Sequence, residues 1–196
     1  MKIISIIALI LLSILIPTRL NATTFQEIVL YLGNTIKCND GELLQAKVKV
    51  TVVTEAIPDS APVLEGKFHK GIKDGKNSII LFLEHIGIGI SEKENAYHYY
   101  KNDSGNMQDD KYSLDDKPEY KKALVNPMSQ ILGTGFISKT TDNKTVFTPP
   151  NKDNPIKSIT MVDSDNKKEF TVVIEYPKEK TSATIIFYDI IKVEDK

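Results

Sequence analysis

Arginine is almost missing from this sequence: Arg19 is the only one. Bidentate recognition of phosphate and guanine uses arginine preferentially, so its absence argues against a nucleic-acid partner. Tryptophan is absent altogether, which removes the commonest hot-spot residue and the largest stacking platform for sugars. Cys38 is the only cysteine. There is thus no internal disulfide, and the core must hold the fold alone. Cys38 could serve as a nucleophile or an intermolecular bridge, but the plainer reading is a small buried residue on a short strand. Strong charge is lacking too. The first 22 residues hold two of the basic residues, which leaves 23 basic against 26 acidic ones. That balance is too mild to imply a polyanionic or polycationic partner.

Familiar chemistry is also missing. There is no Gly-x-Ser-x-Gly elbow, no His-Glu-x-x-His helix and no phosphate-binding Gly-x-x-x-x-Gly-Lys loop. The three histidines, His69, His85 and His98, are not at helical metal-pair spacing. Asp163-x-Asp165 begins like a calcium loop, but Lys167 stands at position five and no glycine follows it. It reads as a turn. The expectation is no metal site, no cofactor and no catalytic set. One enzymatic alternative stands: His85 with Asp189 in a hydrolase-type site. Strict alternation puts Asp189 on an apolar face, where burial raises a carboxyl pKa. The plainer reading is a bulge that turns Asp189 outward.

What is present begins with an export signal. Lys2 precedes an apolar run from Ile3 to Ile16 that is too short for a comfortable membrane span, and Pro17 ends it. The expected cut lies near Ala22, so residues 1–22 form a signal peptide and the product is secreted or periplasmic. No later stretch is long enough to span a bilayer as a helix. Residues 23–196 then make one β-rich domain.

Three strands in a row organise that domain: Ile156–Val162, Glu169–Tyr176 and Thr181–Val193. Phe170, Val172, Ile174 and Tyr176 alternate onto one face, the pattern of a half-buried strand. The last strand is apolar on both faces, which places it inside the sheet. Upstream, Thr24-Phe-Gln-Glu27 has capping-box spacing and predicts a short helix over Phe25–Leu32. Thr35–Cys38 and Glu42–Thr54 read as a hairpin around Asn39-Asp-Gly41. Leu44, Ala46, Val48, Val50 and Val52 face inward. A second hairpin, Val63–His69 to Asn77–Leu83, follows the loop Ala56–Pro62. Lys67, Lys70, Lys73 and Lys76 crowd its tip beside His69, either as a solvated edge or as an anion-binding loop.

Gly87 and Gly89 alternate with Ile86, Ile88 and Ile90 and form a flat shelf that another backbone, a ring or a ligand can approach. Ile131, Gly133, Gly135 and Ile137 repeat the device. Residues 91–126 form a polar insertion that nonetheless holds Tyr97, Tyr99, Tyr100, Tyr112 and Tyr120. Within it Asp116 caps and Pro118 opens a helix over Glu119–Val125. Tyrosine among small polar residues is the chemistry of adaptable binding loops. Alternatively, the rings fold back onto the glycine shelf.

The predicted fold is mostly β: an antiparallel sandwich or partly closed barrel with one or two short helices. The function expected is a non-enzymatic, exported binding module for a protein or glycan partner. Tyr97, Tyr99, Tyr100, Tyr112 and His85 are its candidate contacts. A small-ligand carrier that uses the interior is the alternative.

Overall fold

The structure is a computed structural model. It describes residues 24–54, 63–103, 106–164, 166, 168–177 and 181–194. The signal peptide expected over residues 1–22, the loop expected at Ala56–Pro62 and part of the two last turns lie outside the described residues.

Helix α1 (Phe25–Asn34) begins as its sequence dictates. Thr24 Oγ1 accepts from Glu27 N, and the Glu27 carboxylate accepts from Thr24 N, so two free amides are satisfied reciprocally. Phe25, Ile28, Val29 and Leu32 are buried as that spacing predicts, and so are Leu30 and Tyr31, so the helix is covered on nearly every side. The hairpin expected at Thr35–Cys38 does not form, because these residues make no strand. The Asn39-Asp-Gly41 turn is there, with Gly41 at φ 78°, but it leads from an irregular segment into β1 (Glu42–Val53).

Six strands form one meander: β1, β2 (Val63–Lys73), β3 (Lys76–Leu83), β4 (Ile86–Ser91), β5 (Ala96–Asp103) and β6 (Asn106–Ser113). Asp74 and Gly75, at φ 55° and 69°, make the two-residue turn between β2 and β3. A second meander holds β7 (Ile137–Thr141), β8 (Lys144–Thr148), β9 (Ser158–Asp163), β10 (Glu169–Glu175) and β11 (Ser182–Glu194). The first and last strands pair side by side, so the described residues make a single eleven-stranded open antiparallel sheet in the order β6-β5-β4-β3-β2-β1-β11-β10-β9-β8-β7. The mostly antiparallel fold with short helices stands as the alternation pattern predicts. It is neither two stacked sheets nor a closed barrel.

Helices α2 (Pro118–Val125) and α3 (Pro127–Leu132) connect the two edge strands, β6 and β7. Asp116 does not cap α2. It lies in a single 3-10 turn, and Lys117 is the residue before the helix. The second glycine pair is corrected as well. Ile131 belongs to α3, and Gly133 and Gly135 sit at φ 83° and 82° in the turn that ends it, so they form no shelf.

With helices on one side, the sheet has an inner and an outer face. Leu44, Val48, Val50, Phe68, Leu81, Ile185 and Phe187 point inward and are fully buried. Phe68 and Phe187 meet edge to face at 5.4 Å across β1. One hydrophobic cluster joins these residues to α1, α2 and α3, so side chains fill the space beneath the helices.

A buried polar knot ties the layers together. Lys70 lies on the inner face at 6% exposure. Its ammonium donates to the Asn34 and Ile36 carbonyls at 2.6 and 2.9 Å, one on the last residue of α1 and one just beyond it. The Asn34 amide donates to the last carbonyls of α2, Ala123 and Leu124, and accepts from Asn77. Burial pulls the Lys70 pKa down to about 8. Lys70 is thus separated from Lys67 and Lys73, which stay on the outer face.

Candidate functional site

Strand β5 carries tyrosine on both faces, and period-2 alternation sorts the rings. Tyr97 and Tyr99 point inward; His98 and Tyr100 point outward.

On the inner face the rings pack in series. Tyr112 on β6 is the register partner of Tyr97, and the two rings stack at 5.1 Å with 16° between their planes. Tyr97 also meets Tyr99 at 5.6 Å and Tyr120 at 5.2 Å, both edge to face. Tyr97 is buried, while Tyr99 and Tyr112 keep 37% and 45% of their surface in solvent. Ile86, on the same face at the end of β4, is also exposed.

A chain of hydrogen bonds fixes two members of this array, Tyr99 and Tyr120. Tyr120 on α2 is buried and donates its hydroxyl proton to Glu27 Oε1. The second Glu27 oxygen accepts from Thr24 N at 2.5 Å. Tyr120 has one hydroxyl proton and gives it to Glu27. The 2.8 Å contact between the Tyr99 and Tyr120 hydroxyls must therefore run from Tyr99 to Tyr120. The Tyr99 oxygen then offers only lone pairs to anything outside. Burial, reinforced by the Glu27 hydrogen bond, pushes the Tyr120 pKa far up, and burial beside Glu27 does the same to Tyr31. Lys117 Nζ lies 5.2 Å from the Tyr120 ring centre.

On the outer face Tyr100 covers the glycine shelf. Its ring packs against Phe82 at 5.2 Å and lies parallel to His98 at 5.6 Å. A β-carbon added at Gly87 would stand 2.6 Å from the Phe82 ring, and one at Gly89 would stand 3.2 Å from Tyr100. The shelf is therefore occupied by the protein's own aromatics. His98 is buried and bonds Asp109 through Nδ1 at 2.9 Å.

The remaining sequence candidates lie elsewhere. His85 is exposed in the turn between β3 and β4, and its carbonyl accepts from Asn102 N. Asp189 sits at φ 53° where the register of β1 against β11 slips, and it pairs with Lys47 at 2.8 Å. The bulge turns it outward. Strands β1 and β2 stand between β11 and the turn that holds His85, so the structure does not assemble a His85–Asp189 pair. No cluster of three metal-ligating side chains exists among the described residues.

Glu27 was legible as a cap, and Tyr120 as one tyrosine of the polar insertion on a short helix. Their meeting spans 93 residues of chain, a separation that no local pattern reports.

Strand β6 leaves one side unpaired among the described residues. The bond from Leu114 N to Asn95 O sets the phase of the ladder. In an antiparallel pair, bonded and non-bonded positions alternate. Asp110 and Tyr112 therefore bond to β5, while Asp109, Lys111 and Ser113 turn their backbone groups outward.

The fold and this surface define a class: an open antiparallel sheet backed by helices, with an aromatic free end. No protein-family model matches the chain, and no curated protein matches it. Solved structures of similar shape exist. A DUF1329 family protein from Desulfovibrio piger is 7% identical over 83% of this chain and 89% of that one, with a TM-score of 0.39. A LolA superfamily protein from Nitrosomonas europaea is 8% identical over 84% and 92%, with a TM-score of 0.35. A Vibrio parahaemolyticus domain described as outer membrane lipoprotein-sorting is 6% identical over 84% and 90%, with a TM-score of 0.39. At these values the likenesses assign no ligand.

Proposed function

We propose that the protein is an exported, non-catalytic binding module that grips a protein partner with the aromatic free end of its sheet. The contacts are Tyr99 and Tyr112, bordered by Ile86. Tyr97 acts as their support, and Tyr100 holds the opposite face of the same strand in place. His85 takes no part in this surface.

One observation carries the reading. Two large rings remain exposed although their positions are already fixed, Tyr99 by its hydrogen bond to buried Tyr120 and Tyr112 by stacking on buried Tyr97. Ordering a side chain on binding costs about 0.5–1.5 kcal/mol, and here the fold has met much of that cost in advance. Tyrosine supplies wide contact area with few rotatable bonds. The committed Tyr99 proton adds selectivity, since a group that bonds the Tyr99 oxygen must be a donor. Partner N–H or O–H groups fit; a carboxylate does not. The outward amides and carbonyls of β6 offer the same partner a strand edge.

The test is quantitative capture from the native extracellular or periplasmic fraction, with Tyr112→Ala and Tyr99→Phe compared with the unaltered protein. A truncated hot-spot ring costs about 2 kcal/mol or more of binding. Retention should therefore fall at least tenfold for Tyr112→Ala while its melting profile stays normal. Unchanged retention by both variants would sink the reading.

A further inference from the structure

The outer face of the central strands carries a second built surface. Cross-strand partners share a face, so register defines two adjoining rows. Val193, Leu43, Gly71 and Ser78 form one; Ile191, Gln45, His69 and Ile80 form the next. Leu43, Ile80, Ile191 and Val193 thus put an aliphatic strip where a solvated sheet face is ordinarily polar. Ile191 and Val193 are 57% and 46% exposed. Gly71 leaves a dip in that strip, because a β-carbon there would find its first neighbour only at 3.6 Å, on Leu43.

Two concavities follow these rows and share His69 as a common wall. The larger, about 530 Å³, is bounded by Lys47, Lys67, Lys168, Asp189 and Ile191. The smaller, about 250 Å³, is bounded by Leu43, Gly71, Lys73, Lys76, Ile80 and Lys93. Lysines thus stand on both banks of an apolar floor. The two acids at the rim are already engaged: Asp189 by Lys47 at 2.8 Å, and Glu42 by the Asn39 backbone and side-chain amides, both at 2.8 Å. Lys67, Lys76, Lys93 and Lys168 make no ion pair among the described residues. Partial burial and the nearby Lys67 hold the His69 pKa below its ordinary value, which fits a cationic neighbourhood without a local counter-charge. The chain as a whole is slightly acidic, so this concentration of lysine is local.

We propose that this outer groove binds an anionic amphiphile, with its aliphatic chain on the Leu43–Gly71–Ile80–Ile191 floor and its headgroup between Lys67, Lys168 and His69. The two requirements select each other. A fully polar anion leaves the aliphatic floor wet, and a neutral or cationic chain leaves the lysine banks unmatched. The larger volume falls within the range of small-molecule sites. The site is separate from the tyrosine surface and does not depend on it.

The experiment is calorimetric titration of the full mature chain with dodecyl phosphate below its micelle concentration. Dodecyltrimethylammonium and inorganic phosphate are the comparison probes. The wild type should bind dodecyl phosphate at least tenfold more tightly than the cationic detergent and give no saturable heat with phosphate. Lys67→Glu combined with Lys168→Glu removes headgroup contacts at exposed positions. Gly71→Leu fills the dip. Each should weaken dodecyl phosphate tenfold or more, and Tyr112→Ala should bind it as the wild type does. Equal affinity for both detergents, phosphate alone binding as tightly as its dodecyl ester, or full affinity in the double charge reversal would each overturn the proposal.

Discussion

Replacing Lys70 by methionine should make the stability of this protein respond differently to alkaline pH. The ordinary lysine pKa is 10.5, and burial brings that of Lys70 down to about 8. Between those values the unfolded chain holds a proton that the folded chain has released. Unfolding then takes up a proton, so stability rises with pH across that window. Below pH 8 both states are protonated, and the folded protein bears the full cost of a buried ammonium, roughly 3 kcal/mol at about 1.36 kcal/mol per pKa unit. The cost fades as pH climbs toward 10.5. From pH 8 to pH 9.5 the wild type should gain about 1.5 kcal/mol from this group alone. Buried tyrosines oppose the gain above pH 10. Tyr31, Tyr120 and Tyr176 all have raised pKa values, so unfolding releases their protons and stability falls. That contribution is common to both proteins and cancels in their difference. Lys70→Met also strips the Asn34 and Ile36 carbonyls of their donor, a loss of about 1–3 kcal/mol that shifts the difference without tilting it. Urea melts of both proteins at half-unit steps from pH 7 to 9.5 read the result. A wild type that gains about 1.5 kcal/mol over the variant between pH 8 and 9.5 supports the buried-ammonium account. A difference that stays flat across the series refutes it.

Tyr97→Ala, which removes a ring packed against three others, should cost about 3–5 kcal/mol of stability, whereas Tyr112→Ala should cost under about 1 kcal/mol; parallel denaturant melts separate them. Tyr120→Phe leaves a Glu27 oxygen and the Tyr99 hydroxyl without their partner and should cost roughly 1–3 kcal/mol, again read by urea melt. Gly87→Val drives a β-carbon into the Phe82 ring, and a loss of about 1–3 kcal/mol is expected from such overpacking; near-wild-type stability there would show that Tyr100 and Phe82 do not seal the shelf. Mass spectrometry of the protein from its native source should find an N-terminus near Ala22, and an intact Met1 would disprove cleavage.

Alternation made much of the sheet legible. The run from Leu44 to Val52 forms inward-facing β1 as its pattern requires, and the final meander lies within two residues of its predicted limits at each boundary. These strands have one buried face, and period-2 burial is a local signal. Residues 96–113 were harder, because their polarity suggested a loop. They pair as β5 and β6, and β6 is exposed along its whole length. An edge strand with little to bury carries almost no hydrophobic alternation. Once β5 is a strand, period-2 geometry alone separates Tyr97 and Tyr99 from Tyr100. The partners of those rings do not follow from it, because Glu27, Tyr120 and Phe82 come from distant elements. The outer groove was equally hidden. Lys70 looked like one more surface lysine at a hairpin tip, and only the register shows that it points inward while its neighbours point out.

The pairing of β1 with β11 sets the order in which this molecule can be finished. The first and last strands lie at the centre of the sheet and match residue for residue from Val53 against Ser182 to Lys47 against Tyr188. Contacts between such distant segments carry a large loop-closure cost and form slowly. A chain threaded across a membrane from its N-terminus would therefore emerge with the β1 edge open until the last strand arrives. The C-terminal strand acts as a latch. Truncation before Ser182 would leave two half-sheets, each with a hydrophobic edge bared, and such edges recruit other chains. Loss of β11 should be read out as aggregation before it is read out as lost binding.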